Sequence, residues 1–339
     1  MTGVQTCALP ISKKACETYG TGSGASPLLS GFLPCHQSLL DQLRKWKHKS
    51  YGLLFNAGFM ANQAVLKHLP GENDLVLADK LIHHSIAQAL VQGSARFKRY
   101  HHLDLEHLRE LLEANFKDYE TVFVVTESVF SMDGDYPDLK KLVELKKDYP
   151  FILILDEAHG TGVFGKTGGG LAEEMQVQDR VDILIGTLGK SLASMGAYVL
   201  SDSSTIIDFL VNRAGEFIYS TFLSPAQVGS AEIALQILQS AQEKRKYLQE
   251  ISRNFRKILN IEELEGTNTP SPIIPVLIGD PAKTLELRNH LLQRGIMVGA
   301  IRPPTVPPHT SRLRISLHTG VTSETLEELG NIINPWINS

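Results

Sequence analysis

Lys190 lies in GTLGKS (Gly186–Ser191), directly after the β-rich run VDILI. A lysine at the end of a buried strand loses hydration of its charged form. Its pKa then falls, and the neutral amine becomes available for Schiff-base chemistry. The hexapeptide also invites comparison with a phosphate-cradling GxxxxGK loop. That loop needs a glycine five positions before Gly189, where the residue is Leu184, so the nucleotide reading is set aside. Upstream, LILDEAHGTGVFG (Leu153–Gly165) ends an apolar run in Asp156 and places His159 three positions later. A carboxylate at the end of a buried strand is costly unless it meets a cation. The pyridinium nitrogen of pyridoxal 5'-phosphate (PLP) is such a partner, through a charge-assisted hydrogen bond of about 1.5–3 kcal/mol. The acid keeps that nitrogen protonated, the ring can accept electrons from a developing carbanion, and His159 would reach the ring hydroxyl. A helix-capping Asp and a surface His would account for either residue singly, but less easily for the ordered set with Lys190.

These residues must be positioned by an α/β architecture. From about residue 50 to 200, short β-rich runs alternate with amphipathic stretches, the pattern of a mostly parallel sheet covered by helices. Strands are expected at Gly52–Phe55, Asp74–Ala78, Thr121–Thr126, Phe151–Leu155, Asp182–Thr187 and Ala197–Leu200. Helices are expected at Met60–Leu69, Leu105–Ala114 and Leu139–Lys147. After Pro225 a long charged stretch of helical spacing reads as a connector, and the tail from Ser271 reads as a smaller C-terminal α+β domain. The expected organisation is therefore residues 1–18 unmatched, 19–240 a large cofactor domain with its connector, and 241–339 a small domain. The first dozen residues, MTGVQTCALPIS, show neither a signal peptide nor helical periodicity and read as foreign to the rest of the chain.

Composition narrows the function. A chain of 339 residues, 42% hydrophobic and 21% charged, can bury a substantial core. A formal net charge of -4, without a long basic run, argues against nucleic acid and for a small-molecule substrate. Cys7, Cys16 and Cys35 are too scattered for a metal knuckle or a disulfide framework, and the twelve histidines show no metal-ligand spacing, so no metal and a reducing, cytoplasmic setting are expected. No apolar run approaches the ~20 residues of a membrane-spanning helix. Gly20, Gly22 and Ala25 loosely match GxGxxA but follow KKACET, which is no buried strand. Glu127 and Asp133 flank Ser131 and read as local hydrogen-bonding groups rather than a hydrolytic pair.

Taken in order, YGTGSGASPLLSG, NAGFMANQ, DKLIHHS, TESVFSMDGD, DEAHGTGVFG, GTLGK and YSTFLSPAQ resemble the α-oxoamine synthases of the fold-type I PLP enzymes, the aminotransferase class I/II fold, from about Tyr19 onward. The resemblance implies PLP as cofactor. It places Gly58 and Phe59 beside phosphate and ring, His83 on the ring face, Ser131 near the ring hydroxyl, Asp156 on the pyridine nitrogen, His159 on the ring oxygen and Thr187 on the phosphate. Lys190 becomes the Schiff-base lysine. Ser220 and Thr221 would reach the phosphate of the partner subunit, so a homodimer with shared active sites is implied. His83 is preferred to His84 because the following Ser85 sets the family's register.

The segment AIRPPTVPPHTSRLRISL (Ala300–Leu317) is similar to the biotin-pathway branch that joins L-alanine to a pimeloyl thioester with loss of CO2. That similarity implies substrate contact by Thr305 and a bidentate grip on the alanine carboxylate by Arg314. Arg312, two residues earlier on the same strand face, stays an alternative. A branch using glycine and acetyl-CoA and a non-catalytic PLP-fold binding protein are the other readings, and the acyl carrier is either coenzyme A or a carrier protein. The chain departs from the family at Ala25, Pro27 and Leu103, the last standing where Asn is common. Family members also carry several dozen residues before the segment matching YGTGSG. From that difference the chain is expected to bind PLP but turn over poorly, with Ile274, Val276 and Leu291 under-covered.

Overall fold

A computed structural model describes residues 2–261 and 270–337. The chain forms two compact units, residues 1–129 with 137–242, and residues 130–136 with 243–339. The first is built on seven strands: β1 (Tyr51–Phe55), β2 (Leu75–Asp79), β3 (Arg96–Tyr100), β4 (Val122–Glu127), β5 (Ile152–Asp156), β6 (Ile183–Thr187) and β7 (Ala197–Ser201). Their order is β1-β7-β6-β5-β4-β2-β3. Only β7 runs antiparallel to its neighbours. β2, β4 and β7 are buried along their whole length, as strands covered on both faces must be, and therefore read as continuous apolar runs. The chain passes from β2 to the edge strand β3 and then to β4 on the other side of β2. This reversal puts a topological switch at the carboxyl ends of β2 and β4, where open α/β sheets hold their ligands.

Before and between the strands lie the helices α1 (Thr2–Tyr19), α2 (Pro34–Lys47), α3 (Gly58–His68) and α4 (His84–Gln92). The expectation that the first dozen residues lack helical structure is corrected by α1. It packs along the helix Pro225–Ser240, with the Ser12 hydroxyl donating to the Ala226 carbonyl at 3.0 Å. Gly229 makes that approach possible, since a Cβ there would stand 3.0 Å from the Ala15 methyl. The connector is two helices, Pro225–Ser240 and Gln242–Ile258, rather than one.

The second unit contains the strands β8 (Ile273–Gly279), β9 (Gly299–Ile301) and β10 (Ser311–Ser316), antiparallel in the order β8-β10-β9. Helices Gln242–Ile258, Pro281–Leu292 and Ser323–Ile337 enclose its core. Ile274, Val276 and Leu291, expected to be under-covered, are 0%, 1% and 0% exposed. They pack with Phe255, Leu287, Leu313 and Leu329, so that expectation is overturned. Residues 130–136 join this unit from far away in sequence. Gly134, at φ +73°, allows the approach, because any Cβ there would overlap the Ile273 carbonyl.

Leu103 has φ +57°, a left-handed conformation costing an ordinary residue roughly 1–2 kcal/mol and tolerated best by Asn or Gly. Its N–H donates to Asp79 Oδ2 at 2.9 Å, which holds the turn in place. The departure at Leu103 is thus a matter of backbone strain. Leu103→Asn is expected to raise the urea midpoint by an amount worth about 1 kcal/mol. An unchanged or lowered midpoint would show that the leucine side chain offsets the strain.

Candidate active site

The ends of the parallel strands bring carboxylates together. Asp79 ends β2, Glu127 ends β4 and Asp156 ends β5, with Glu127 and Asp156 as register partners. All three are buried. Asp79 is satisfied by Leu81 N–H at 2.8 Å, Leu103 N–H and His102 Nδ1 at 2.8 Å, so its work is to tie the chain after β2 to that after β3. Glu127 Oε1 accepts the main-chain N–H of His83. Burial, reinforced by the Asp156 charge, pushes the Glu127 carboxyl well above the usual carboxylate range, against smaller lowering effects from the His83 N–H and Lys190.

Asp156 is held on both oxygens. Oδ1 accepts from Ala158 N–H and Oδ2 from Asn62 Nδ2, each at 2.9 Å. Asn62 Nδ2 also donates to Ser85 Oγ at 3.0 Å, and Ser85 Oγ lies 2.7 Å from His83 Nδ1. His83 caps α4, with Nδ1 accepting Ser85 N–H at 3.2 Å. With Nδ1 an acceptor, the ring proton of neutral His83 sits on Nε2. Desolvation pushes the His83 pKa down, opposed by Asp156 and reinforced by Lys190 and His84. His83, Asp156, Glu127 and Lys190 therefore act on one another electrostatically at one end of the sheet. His84, the first residue of α4, is exposed.

Lys190 follows β6 in a turn where Gly189 N–H donates to Thr187 Oγ1 at 3.1 Å and that hydroxyl donates to the Gly196 carbonyl at 3.1 Å. Thr187 faces the start of α3, its Cβ 3.8 Å from where a Gly58 side chain would begin. α3 has eleven residues, and its N-cap, Ala57, offers no side-chain bond, which leaves main-chain N–H groups at Gly58 and Phe59 for an anion. Phe59 is exposed. His159 lies in the turn after β5, at the start of a glycine-rich loop cinched from below. Glu157 accepts Leu171 and Ala172 N–H, Glu173 accepts Thr167 and Gly169 N–H, and buried Lys47 donates to Thr161 Oγ1 and the Gly169 carbonyl.

The other residues singled out from sequence lie on other segments. Ser220 and exposed Thr221 lie between the helices Gly215–Ile218 and Pro225–Ser240, beside Tyr219, which is 84% exposed. The Thr221 carbonyl accepts from Asn56 Nδ2 at 2.6 Å. Ser131, Thr305, Arg312 and Arg314 all belong to the second unit. Thr305 is exposed in a loop before β10. Arg312 is ion-paired with Asp133, whereas Arg314 donates through Nε to the Ser131 carbonyl and through Nη1 to Ser316 Oγ at 2.8 Å. Among the described residues no carboxylate pairs with Arg314, and its lowered pKa comes from burial alone. Sequence reasoning missed Asn62 and Ser85, whose bonds cross between α3, α4 and β5. Nothing in a single sequence signals such a crossing.

The aminotransferase class I and II family model matches residues 8–333. The chain belongs to this family. Within the aminotransferase class I and II family it is 41% identical over 306 residues to the 8-amino-7-oxononanoate synthase of Geobacter sulfurreducens, covering 90% of this chain and 78% of that protein. A serine palmitoyltransferase structure from S. paucimobilis with a bound PLP-myriocin aldimine superposes with a TM-score of 0.90 at 28% identity, covering 97% of this chain and 82% of that one. An 8-amino-7-oxononanoate synthase structure from Francisella tularensis superposes with a TM-score of 0.83 at 28% identity, covering 97% and 92%. The chain is thus a fold-type I PLP-dependent enzyme of the 8-amino-7-oxononanoate synthase group.

The residues at the strand ends fit PLP. Buried hydroxyls of Ser128 and Ser191 and the Oδ1 of Asn62 have no partner among the described residues, and polar atoms so placed are costly unless a ligand or water meets them. An uncapped helix start supplies donors for a phosphate, and a fixed carboxylate can meet a ring nitrogen. Among the described residues no helix is long and apolar enough to cross a membrane, and no group of three or more His, Cys, Asp or Glu is arranged to hold a metal.

Proposed function

We propose that this enzyme condenses L-alanine with a pimeloyl thioester to give 8-amino-7-oxononanoate, CO2 and free thiol, in biotin biosynthesis. The hydrogen-bonded chain Asp156, Asn62, Ser85, His83 beside Lys190 is the observation that carries this reading. It joins the carboxylate suited to a ring nitrogen to the imidazole suited to a ring face. Bound PLP supplies an electron sink conjugated to the amino acid's Cα.

Lys190 would anchor the cofactor, and its neutral amine would take the Cα proton of alanine on Nζ. Asp156 holds the ring nitrogen protonated, with Asn62 and Ala158 N–H fixing its rotamer. Neutral His83 presents its ring face and its Nε2 proton, and His159 meets the ring oxygen. Gly58 and Phe59 would lie beside the phosphate and ring, and Thr187 would reach the phosphate. Ser131 reaches the ring hydroxyl, Thr305 the substrate, and Arg314 the alanine carboxylate, leaving a bond at Cα free to break. The acyl carbonyl carbon would bond to Cα as the thiolate leaves, the alanine carboxylate would depart as CO2, and Lys190 Nζ would return a proton to Cα. A homodimer completes each site with Ser220 and Thr221 of the other subunit. The exposure of Thr221 and its neighbour Tyr219 in the single chain supports this arrangement.

The test is turnover of PLP-loaded protein with alanine and pimeloyl-CoA or a pimeloyl carrier protein, set against glycine and acetyl-CoA. The expected result is thiol and CO2 release in the first pairs only. Faster turnover of glycine with acetyl-CoA would reassign the substrates, and no turnover with any pair would favour a binding role.

A further inference from the structure

Two arginines two residues apart on one strand face present a choice that chemistry alone leaves open, since either guanidinium could grip a carboxylate. β10 alternates Leu313 and Ile315 into the core of its unit with Arg312 and Arg314 on the opposite face. A single turn, Ser131 to Asp133, touches both. The Asp133 carboxylate pairs with Arg312 Nη1, while Arg312 Nε donates to the Thr310 carbonyl at 3.1 Å. The Ser131 carbonyl takes Arg314 Nε, which orients that guanidinium without neutralising it. The turn is fixed by Gly134 packed on the Ile273 carbonyl and by the Gly134 N–H donating to the Phe130 carbonyl at 2.8 Å. The Asp133 and Arg312 side chains are 28% and 12% exposed, so the pair is shielded well beyond an ordinary surface ion pair.

We propose that Asp133 is a specificity-determining positioning residue: it occupies Arg312, so that of the two neighbouring guanidiniums only Arg314 is offered to the substrate amino acid's carboxylate. This rests on the reading of Arg314 as the carboxylate ligand. Asp133→Asn releases a second cation beside the first, and a carboxylate drawn to Arg312 is held in the wrong place for bond breaking at Cα. Arg312→Gln does the converse, removing one charge partner of the Asp133 carboxylate, which then competes for Arg314. Removing both charges removes both competitors.

The experiment is a double-mutant cycle on PLP-loaded, full-length protein. Alanine affinity is read by spectral titration, and KM and kcat are measured beside it. Arg312→Gln is expected to weaken alanine binding, raising KM roughly five- to twentyfold, Asp133→Asn to lower kcat by a similar factor with KM little changed, and Asp133→Asn/Arg312→Gln to return within roughly threefold of the parent. Asp133→Asn is further expected to bind alanine nearly as tightly in the titration while kcat falls, the mark of a misplaced carboxylate. A merely structural pair would be rescued in stability but would not lower kcat at unchanged alanine affinity, so a double variant as impaired as either single one overturns the proposal, as do single variants with parental kcat and KM. If one single variant fails to fold, judged by thermal melting with PLP, the other single and the double decide it. Arg314→Gln separates the two ideas. If it leaves alanine binding untouched, the reading of Arg314 is wrong, whereas if it abolishes binding while the cycle shows no rescue, only the role of Asp133 fails.

Discussion

Lys190→Ala is expected to lose the visible absorbance of cofactor covalently joined to the protein, to gain no PLP on borohydride reduction, and to lose turnover by roughly a thousandfold or more. Lys190 is the lysine whose charge reaches both His83 and Glu127 at the strand ends. Other buried lysines have different occupations. Lys47 donates to Thr161 and Gly169, and Lys49 to the Val181 carbonyl and Asp202. Both amines are held by these partners away from the strand ends that Lys190 serves, so neither substitutes for it. Asp156 and the start of α3 are untouched by the substitution, and noncovalent retention of PLP on dialysis is expected to persist in weakened form. Peptide mapping of the reduced parent protein provides the check. An adduct on any lysine other than 190 would sink the assignment.

A second large effect concerns pH. Glu127 is buried at the end of β4, faces Asp156 on β5 and Asp79 on β2, and has Lys190 as the cation acting on it, with the His83 N–H on Oε1. Desolvation raises its pKa well above the ordinary value of 4.5. Below 4.5 the carboxyl is protonated in both folded and unfolded chains. Above it, the unfolded chain releases a proton that the folded chain keeps, so stability falls as pH rises until the folded carboxyl ionises too. The slope is at most one proton per molecule, a little over ~1 kcal/mol per pH unit. Glu127→Gln keeps an oxygen for the His83 N–H and removes the titration. Urea midpoints of PLP-free protein are therefore expected to show the glutamine variant gaining on the parent as pH rises from about 5 to 8. A difference between the two that stays constant with pH would mean that Glu127 is ionised in the fold.

Six of the seven strands of the large sheet are legible as apolar runs, because burial on both faces leaves little room for polar residues. The seventh, β3, reads RFKRY and escapes notice. As an edge strand it pairs on one side only, and its charged side chains guard the other. The chemistry of Lys190, Asp156 and His159 is visible because each sits where an apolar run stops. What holds Asp156 is invisible, since Asn62 and Ser85 lie on helices that meet only after folding. The pairing of Arg312 with Asp133 is equally hidden, for it spans a large separation in sequence. Leu103 reads in sequence only as a departure from the family and proves to be an altered backbone, a distinction that only φ reveals.

The heptapeptide 130–136 carries a consequence for how the protein is made. It leaves the ribosome more than a hundred residues ahead of the helix at Gln242–Ile258 and the strands it serves. The loops it closes are long, so its contacts form late and slowly. Until then Phe130 and Tyr136, both buried in the finished chain, stand open between two segments of a sheet that can already assemble around them. A nascent chain halted near residue 240 would therefore show a protease-sensitive break at this heptapeptide and an affinity for chaperones that disappears once β8 and β10 have emerged.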